Sequence, residues 1–425
     1  GQTCNPYDTK RIPGGSSAGS GAAVAANLAI CAFGTDTSGS VRNPASVNNL
    51  AGMLATQGLV SRAGIVPLSF SRDRGGPICR TVEDTAILLE AVTGYDPRDH
   101  ITSVAYGKKP VAYRNFANKT SLAGKRIGVV RDFMVEASLA DRDGIRVATE
   151  AIADLRRLGA TVVDPLDFHS VIADLVPYLE PSLLTQSFPS TTPAGTRPID
   201  HAVAIAADPK LLPGGPRGVN LRMLAAQRRG EEGRYALNRY LRERGDGKFK
   251  NVDDMLATQT FLGNIDNLKA AFGETAKTVD TPAHTNHTLR IQMLQKIILK
   301  VMADNKLDAL VYPYSTLPPH IIVASRQAAT YSAGTEPRVY KAGTAMSDTK
   351  LLPDEPVLKT DLDIHRGAGG SWSVNLSPVT GFPAIVVPAG FTKEAYDRVP
   401  DTKDPNGSRL IGPVAVTLPV ALEFL

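Results

Sequence analysis

The chain is poor in the features that mark several large classes of protein. Its 425 residues include three cysteines, one tryptophan and 21% charged side chains. The 47 basic and 42 acidic residues leave a net charge of +5, too small an excess to predict a nucleic-acid partner. The longest weakly polar stretch, Gly21–Gly34, contains Asn27 and is too short to span a bilayer. Because 43% of the residues are hydrophobic and evenly spread, a disordered or fibrous chain is excluded as well.

The cysteines and histidines are few and scattered. Cys4, Cys31 and Cys79 cannot build a disulfide framework, so we predict buried or free thiols and a reducing, cytoplasmic compartment. His284 and His287 could share one helix face, but no third ligand is nearby and the residues between them are poor helix formers. We therefore predict a surface turn there and no metal site.

Local patterns predict one strand–helix–strand unit. Lys125–Val130 and Ala160–Val163 have the composition of strands, and Ala140–Leu158 between them has apolar residues at three- and four-residue spacing. Gly159 is placed where a glycine ends a helix. Two strands joined by a helix are parallel, so part of the sheet should be parallel and covered by helices.

Further segments complete the expected core. Small residues at Ser16–Ala29 predict a buried helix, and Thr288–Asn305 predicts another that leads into a strand at Asp308–Pro313. Apolar runs at Ala384–Pro388 and Pro413–Leu422 predict two more core strands. The fold class expected is α/β, with a single large domain over residues 1–425 and a mixed, twisted sheet covered by helices on both faces.

Residues 177–370 form the least regular part of the chain. The first part is helical and mixed in charge, and Tyr331–Gly370 is polar, rich in glycine and proline, and without periodicity. We expect a variable, mostly helical region with a long surface excursion that shapes the substrate pocket. Trp372, just after the excursion, fits either a pocket wall or the core.

Two loops rich in glycine and serine stand out. The first is Gly14–Gly21 (GGSSAGSG) and the second is Gly34–Pro44 (GTDTSGSVRNP). The first loop is not a P-loop, because Gly21 is followed by alanines rather than by lysine and a hydroxyl residue. It also lacks the preceding strand of a dinucleotide-binding turn.

Together the two loops resemble the signature of the amidase signature family. The similarity continues in Gly58–Pro67, in Arg80–Ala86 and in Gly381–Pro388. The resemblance implies the amidase signature fold and hydrolysis of linear carboxylic amides through an acyl-enzyme, with neither a metal nor an organic cofactor. Ser71–Arg74 lacks the Asp-Gln pair expected in an amidotransferase subunit, so the resemblance is nearest to the peptide-amidase branch.

The resemblance also implies roles for two serines. Ser40 falls on the nucleophile, and Ser16 falls on the bridging serine, which follows a cis peptide bond, here Gly15–Ser16. The family's base is a lysine that would lie before Gly1, so the chain is expected to be truncated at both ends. Lys10 is not at the family's position. Chemistry agrees, since a serine needs a neighbouring base and none of the seven histidines lies near either loop in sequence.

The turn before the nucleophile suggests an oxyanion hole. Thr37, Ser38 and Gly39 offer backbone N–H groups on a tight turn that ends at Ser40. The resemblance implies that Asp36 and Arg42 shape this loop, and we expect Ser17 and Ser38 to donate hydrogen bonds inside the site.

Two other functions stay open. The same serines could release ammonia from glutamine in one component of a tRNA-dependent amidotransferase, or the protein could be a non-catalytic family member that lacks the base. The expected partner is a small-molecule or peptide amide, with no nucleic acid and no membrane span in the residues shown, and a homodimer is open. Neither the amide nor the substrate-binding residues can be read from the sequence.

Overall fold

The computed structural model describes most of the two ends of the chain and part of its middle. The described residues are 3–108, 111–117, 120–134, 136, 139–175, 195–211, 221–224, 232–245, 247–258, 282–322, 376–400 and 408–425. The predicted excursion at 331–370 and Trp372 lie outside them.

The strands of the described residues form one large mixed sheet and one hairpin. The strands are β1 Cys31–Asp36, β2 Ala51–Leu54, β3 Arg74–Cys79, β4 Arg126–Val129, β5 Thr161–Val163, β6 Ala309–Pro313, β7 Ala384–Phe391, β8 Glu394–Pro400, β9 Ser408–Ala415 and β10 Pro419–Phe424. The eight-stranded sheet has the order β1-β3-β2-β7-β10-β6-β4-β5, and β8 pairs with β9 apart from it. β4 is parallel to β5 and to β6, while the other pairs are antiparallel. The mixed sheet predicted from the sequence is therefore confirmed.

Helices connect the strands. They are α1 Ala18–Ala25, α2 Arg42–Val47, α3 Val82–Val92, α4 Arg142–Arg157, α5 Phe168–Leu175, α6 Pro198–Ala207, α7 Leu221–Leu224, α8 Gly233–Arg244, α9 Val252–Thr258, α10 Pro282–Asp304 and α11 Leu376–Thr380. Short 3-10 turns occupy His100–Ala105, Tyr113–Phe116, Arg131–Phe133, Leu139–Asp141 and Pro209–Leu211. None of the described helices is both long and apolar enough to cross a membrane.

Both faces of the sheet are buried. In β6, Leu310 and Tyr312 pack into one apolar cluster with α10, while Val311 between them packs into another with Ile152 of α4. Successive side chains of a strand point to opposite faces, so helices cover the sheet on each side. This double burial explains why β6 is apolar at nearly every position.

The predicted strand–helix–strand unit is confirmed with small changes at its ends. β4 and β5 are paired in parallel and joined through α4. Gly159 has a φ of 99° just after α4, a backbone conformation that glycine adopts without a steric penalty. The local patterns were sufficient here because the helix and both strands are adjacent in sequence.

Three expectations are wrong in detail. The helix predicted for Ser16–Ala29 covers only Ala18–Ala25, because the chain turns at Asn27, whose φ is 60°. The single strand predicted for Pro413–Leu422 is split between β9 and β10, which belong to different sheets. The histidines of 284–287, predicted on a turn, lie in α10.

The prediction of free thiols is wrong for two cysteines. Cys31 and Cys79 face each other in the antiparallel β1–β3 pair and are joined by a disulfide, with their Cα atoms 4.5 Å apart. This spacing is typical of directly opposite residues that do not exchange backbone hydrogen bonds. Two cysteines that are 48 residues apart thus become neighbours only through strand register.

Candidate active site

The two signature loops meet where β1 ends. Ser40 follows β1, and Ser16 precedes α1. The Gly15–Ser16 peptide bond is cis, as predicted. The N–H of Gly15 donates to Oδ1 of Asn43 at 2.8 Å, and the N–H of Ser17 donates to the carbonyl oxygen of Ser40 at 3.2 Å. These two bonds hold the bridging-serine loop directly against the nucleophile loop.

A glycine allows this close approach. A Cβ atom on Gly34 would lie 2.6 Å from Oγ of Ser17, so only glycine fits on β1 at this point. The hydroxyl of Ser17 accepts the N–H of Thr35 at 3.2 Å and is 3.4 Å from its carbonyl oxygen. Ser20 donates to the carbonyl oxygen of Phe33 at 2.8 Å. The hydroxyl of Ser17 therefore fixes α1 to β1, which is a different role from the expected donor inside the site.

The two predicted catalytic serines lie at the surface of this junction. Ser16 is exposed and Ser40 is half-buried. Their hydroxyl groups make no hydrogen bond to each other, and neither bonds to another residue in the described part of the chain. A proton relay between the serines would thus need a small approach of the two hydroxyls when a substrate binds, which is common in sites without a ligand.

The backbone donors of the nucleophile loop fall into two groups. The N–H of Gly39 donates to Oδ1 of Asp36 at 2.6 Å, so this predicted oxyanion donor is already engaged. The N–H groups of Thr37, Ser38 and Ser40 have no acceptor among the described residues. These three N–H groups are available to an oxyanion, whereas that of Gly39 holds the turn closed.

A fully buried ionic cluster lies beneath the loop. Nε of Arg42 is 3.1 Å from Oδ2 of Asp36, and its NH1 is 2.6 Å from Oε1 of Glu423 on β10. Burial alone would raise the pKa of Asp36, but the charge of Arg42 and the hydrogen bonds outweigh it and leave that pKa below its usual value. Burial raises the pKa of Glu423 in spite of Arg42. The loop is therefore fixed from below by a cation shared between two carboxyl groups, and the expected structural role of the Asp36–Arg42 pair agrees with this geometry.

Two tyrosines complete the cluster. The hydroxyl of Tyr314 is 3.4 Å from the carbonyl oxygen of Gly39, and that of Tyr312 donates to Glu423 at 3.2 Å. Burial raises the pKa of both phenols well above the usual value, so both remain neutral donors. The ring of Tyr314 also lies 5.8 Å from the guanidinium carbon of Arg42. Sequence reasoning missed these tyrosines, since β6 carries no motif.

A second carboxyl group near the loop was also missed. Oγ1 of Thr37 donates to Oδ1 of Asp73 at 2.5 Å, and both residues are buried. Asp73 immediately precedes β3, whose first residue, Arg74, is opposite Asp36 in the sheet. Burial lowers the pKa of Arg74 to about 10, which still leaves it charged at neutral pH. Only the register of β1 with β3 brings Asp73 to the loop, so no sequence motif identifies it.

The alternatives weighed from the sequence find little support at this junction. Lys10 is exposed and lies on a turn whose carbonyl oxygen accepts the N–H of Ile322 at 2.7 Å. No group of three or more metal-ligating side chains occurs among the described residues. A groove of about 780 Å³ lies beside β1 and is lined by Ser17 and Thr35, but neither Ser16 nor Ser40 lines it.

Paired glycine–serine loops at the end of a mixed sheet define a class of serine-dependent amide-bond hydrolases, and the comparisons with known proteins agree with that class. The amidase family model matches residues 1–186 of the chain. This part of the chain belongs to the amidase family.

Two relatives resemble this part of the chain in sequence. One component of the glutamyl-tRNA(Gln) amidotransferase of Microcystis aeruginosa is 47% identical over 160 residues, which are 38% of this chain and 32% of that protein. A probable amidase of Arabidopsis thaliana is 43% identical over 168 residues, 39% of this chain and 31% of that protein. The chain thus spans about a third of the length of these curated relatives.

Solved structures resemble the whole chain. The native peptide amidase of Stenotrophomonas maltophilia has a TM-score of 0.60 and 25% identity, and the match covers 100% of this chain and 64% of that one. The corresponding component of the glutamyl-tRNA(Gln) amidotransferase of Thermotoga maritima has a TM-score of 0.51 at 23% identity, with the same coverage, 100% and 64%. The fold is therefore that of the amidase signature proteins, as the sequence predicted.

Proposed function

We propose that the protein hydrolyses the C–N bond of linear carboxylic amides through an acyl-enzyme on Ser40. The observation that carries this proposal is the contact between the two loops, in which the N–H of Ser17 donates to the carbonyl oxygen of Ser40 at 3.2 Å. This contact places the residue after the cis Gly15–Ser16 bond beside the predicted nucleophile. The match of residues 1–186 to the amidase family supports the same reaction.

The reaction follows from the groups at this junction. Oγ of Ser40 attacks the amide carbon, and its proton moves by way of the Ser16 hydroxyl to the base, which the family resemblance assigns to a lysine. The oxyanion that forms accepts the unengaged N–H groups of Thr37, Ser38 and Ser40. The proton returns to the leaving nitrogen as the C–N bond breaks, and water then hydrolyses the ester on Ser40. No step requires a metal or an organic cofactor.

The substrate class follows the structural neighbours. The likeness to a peptide amidase supports a peptide or small-molecule amide, which is the partner that we propose. The second candidate is glutamine hydrolysis within a tRNA-dependent amidotransferase, and the identity to the Microcystis amidotransferase component over 160 residues favours it. Ammonia release from free glutamine, compared with release from C-terminally amidated peptides, distinguishes the two.

Covalent labelling tests the proposal directly. The protein is incubated with a fluorophosphonate, and the modified peptide is identified by mass spectrometry. We expect the phosphonyl group on Ser40, and we expect Ser40→Ala to lower amide hydrolysis by at least about 1,000-fold. Ser20→Ala is the matched control, since that hydroxyl bonds the backbone of Phe33 in the same region and should have little effect on turnover.

Two outcomes would overturn the proposal. Labelling on Ser16 or Ser17 in place of Ser40 would refute the assignment of the nucleophile. No labelling, together with no release of ammonia or amine from either substrate class, would support the non-catalytic alternative.

A further inference from the structure

Asp73 is a buried carboxyl group that the proposed chemistry does not use. It is 5% exposed. Its Oδ1 accepts the hydroxyl of Thr37 at 2.5 Å, and its Oδ2 accepts the N–H groups of Leu68 and Ser69 at 2.7 and 2.8 Å. A buried carboxyl group with three donors is a fixed anchor, because each lost donor would leave an oxygen without a partner.

Thr37 is the first residue of the loop that carries the free donors. It follows Asp36 directly and precedes Ser38, so its side chain controls the orientation of the peptide group between residues 37 and 38. The far side of the loop is fixed by Asp36, which accepts the N–H groups of Gly39 and Val41 at 2.6 and 3.2 Å. The loop therefore has two carboxyl anchors, and the one at Thr37 lies nearest to the unengaged N–H groups.

The anchor itself is held from two directions. On one side, Asp73 is joined to β3, which pairs with β1. On the other side, the turn before it is tied to Glu232 at the start of α8, whose Oε1 accepts the hydroxyl and the N–H of Ser71 at 2.7 and 2.9 Å and the hydroxyl of Ser69. Glu232 is itself buried. Asp73 thus cannot shift without disturbing two separate elements.

We propose that Asp73 is a positioning residue that sets the backbone donors of the nucleophile loop through its hydrogen bond to Thr37. This inference rests on the proposed function, because it assigns those donors to the oxyanion. It adds a residue that acts through Thr37 and touches neither the substrate nor the reacting atoms. Misplacement of a reacting group by about 1 Å can cost about 100-fold in rate, so a small rotation of this peptide is sufficient to matter.

Kinetics of matched variants test the proposal. Thr37→Val removes the hydroxyl but keeps the shape, and we expect kcat to fall about 10- to 100-fold with KM changed by less than about twofold. Thr37→Ser keeps the hydroxyl and should restore most of the rate. Asp73→Asn should also lower kcat, and the double variant should be little worse than either single one, because both changes remove the same bond.

A second buried bond of the same kind supplies the control. Oγ1 of Thr316 donates to Oδ1 of Asp141 at 2.5 Å, and both residues are buried. Thr316→Val therefore removes an equivalent bond outside the nucleophile loop and should leave kcat unchanged. An equal loss in Thr316→Val and Thr37→Val, or additive losses in the double variant, would overturn the proposal.

Hydrogen exchange separates this inference from the proposed function. Peptides that cover residues 36–41 should exchange faster in Thr37→Val than in the wild type or in Thr316→Val, whether or not the protein turns over an amide. Unchanged exchange would overturn the positioning role even if Ser40 is labelled as proposed. Faster exchange without any labelling of Ser40 would support the anchor and refute the reaction.

Discussion

Replacement of Asp36 by asparagine removes the charge beneath the nucleophile loop while the shape of the side chain is kept. Asp36 is fully buried and accepts the N–H groups of Gly39 and Val41 as well as Nε of Arg42. In asparagine one of the two oxygens becomes an NH₂ group, which would face those donors. Arg42 would keep only Glu423, at 2.6 Å, as a charged partner.

The structure indicates a large effect on stability. Loss of one partner from a buried ion pair costs about 3–5 kcal/mol, because the remaining charge stays buried without compensation. A protein typically has about 5–15 kcal/mol of total stability, so Asp36→Asn should remove a large part of it. Because the pKa of Asp36 lies below its usual value, its contribution is complete at neutral pH and is lost only as the pH falls through that lowered value.

Urea denaturation followed by circular dichroism at pH 7 measures the effect. The control is Asp200→Asn, in the exposed pair that Asp200 forms with Arg197, for which we expect no measurable change. The Asp36→Asn variant should unfold at clearly lower urea concentration with an unchanged slope. If the two variants unfold at the same concentration, the reasoning that the buried cluster stabilises the loop is refuted.

Two more predictions concern pH and thiol chemistry. Burial raises the pKa of Asp73, so its contribution to stability falls as the pH rises from about 4 through that raised value, by at most about 1.4 kcal/mol per pH unit. The stability difference between wild type and Asp73→Asn should thus shrink from pH 4 to pH 7, and a difference that grows would contradict the sign. Because Cys31 and Cys79 form a disulfide, alkylation of the denatured protein should modify one cysteine before reduction and three after it. Modification of all three without reduction would contradict the disulfide.

Local patterns predicted those parts of the fold that are local in the chain. The α4 unit with β4 and β5 was found because its hydrophobic spacing lies within one short stretch of sequence. The break between β9 and β10 was missed, since an uninterrupted apolar run contains no signal for a change of sheet. The pairing of Cys31 with Cys79 was missed for a related reason, because strand register depends on residues far apart in the chain.

The candidate site shows the same division. Ser16, Ser40 and the cis bond were predicted from two contiguous motifs, and the structure confirms the bond and the contact between the loops. The anchor at Asp73 and the tyrosines of β6 were not predicted, because they reach the loop through the sheet. The engagement of the Gly39 N–H by Asp36 was also missed, since the sequence does not show which donors of a turn are already satisfied.

The ion pair between Arg42 and Glu423 has a consequence for biosynthesis. Its two residues are 381 positions apart, and a ribosome that adds about 5–20 residues per second needs about 20–75 s to travel from one to the other. During that interval the guanidinium group beneath the future nucleophile must stay hydrated, since its second carboxyl partner does not yet exist. The loop therefore reaches its final shape only when β10 inserts between β7 and β6, and the emerging chain completes its reactive centre late in translation.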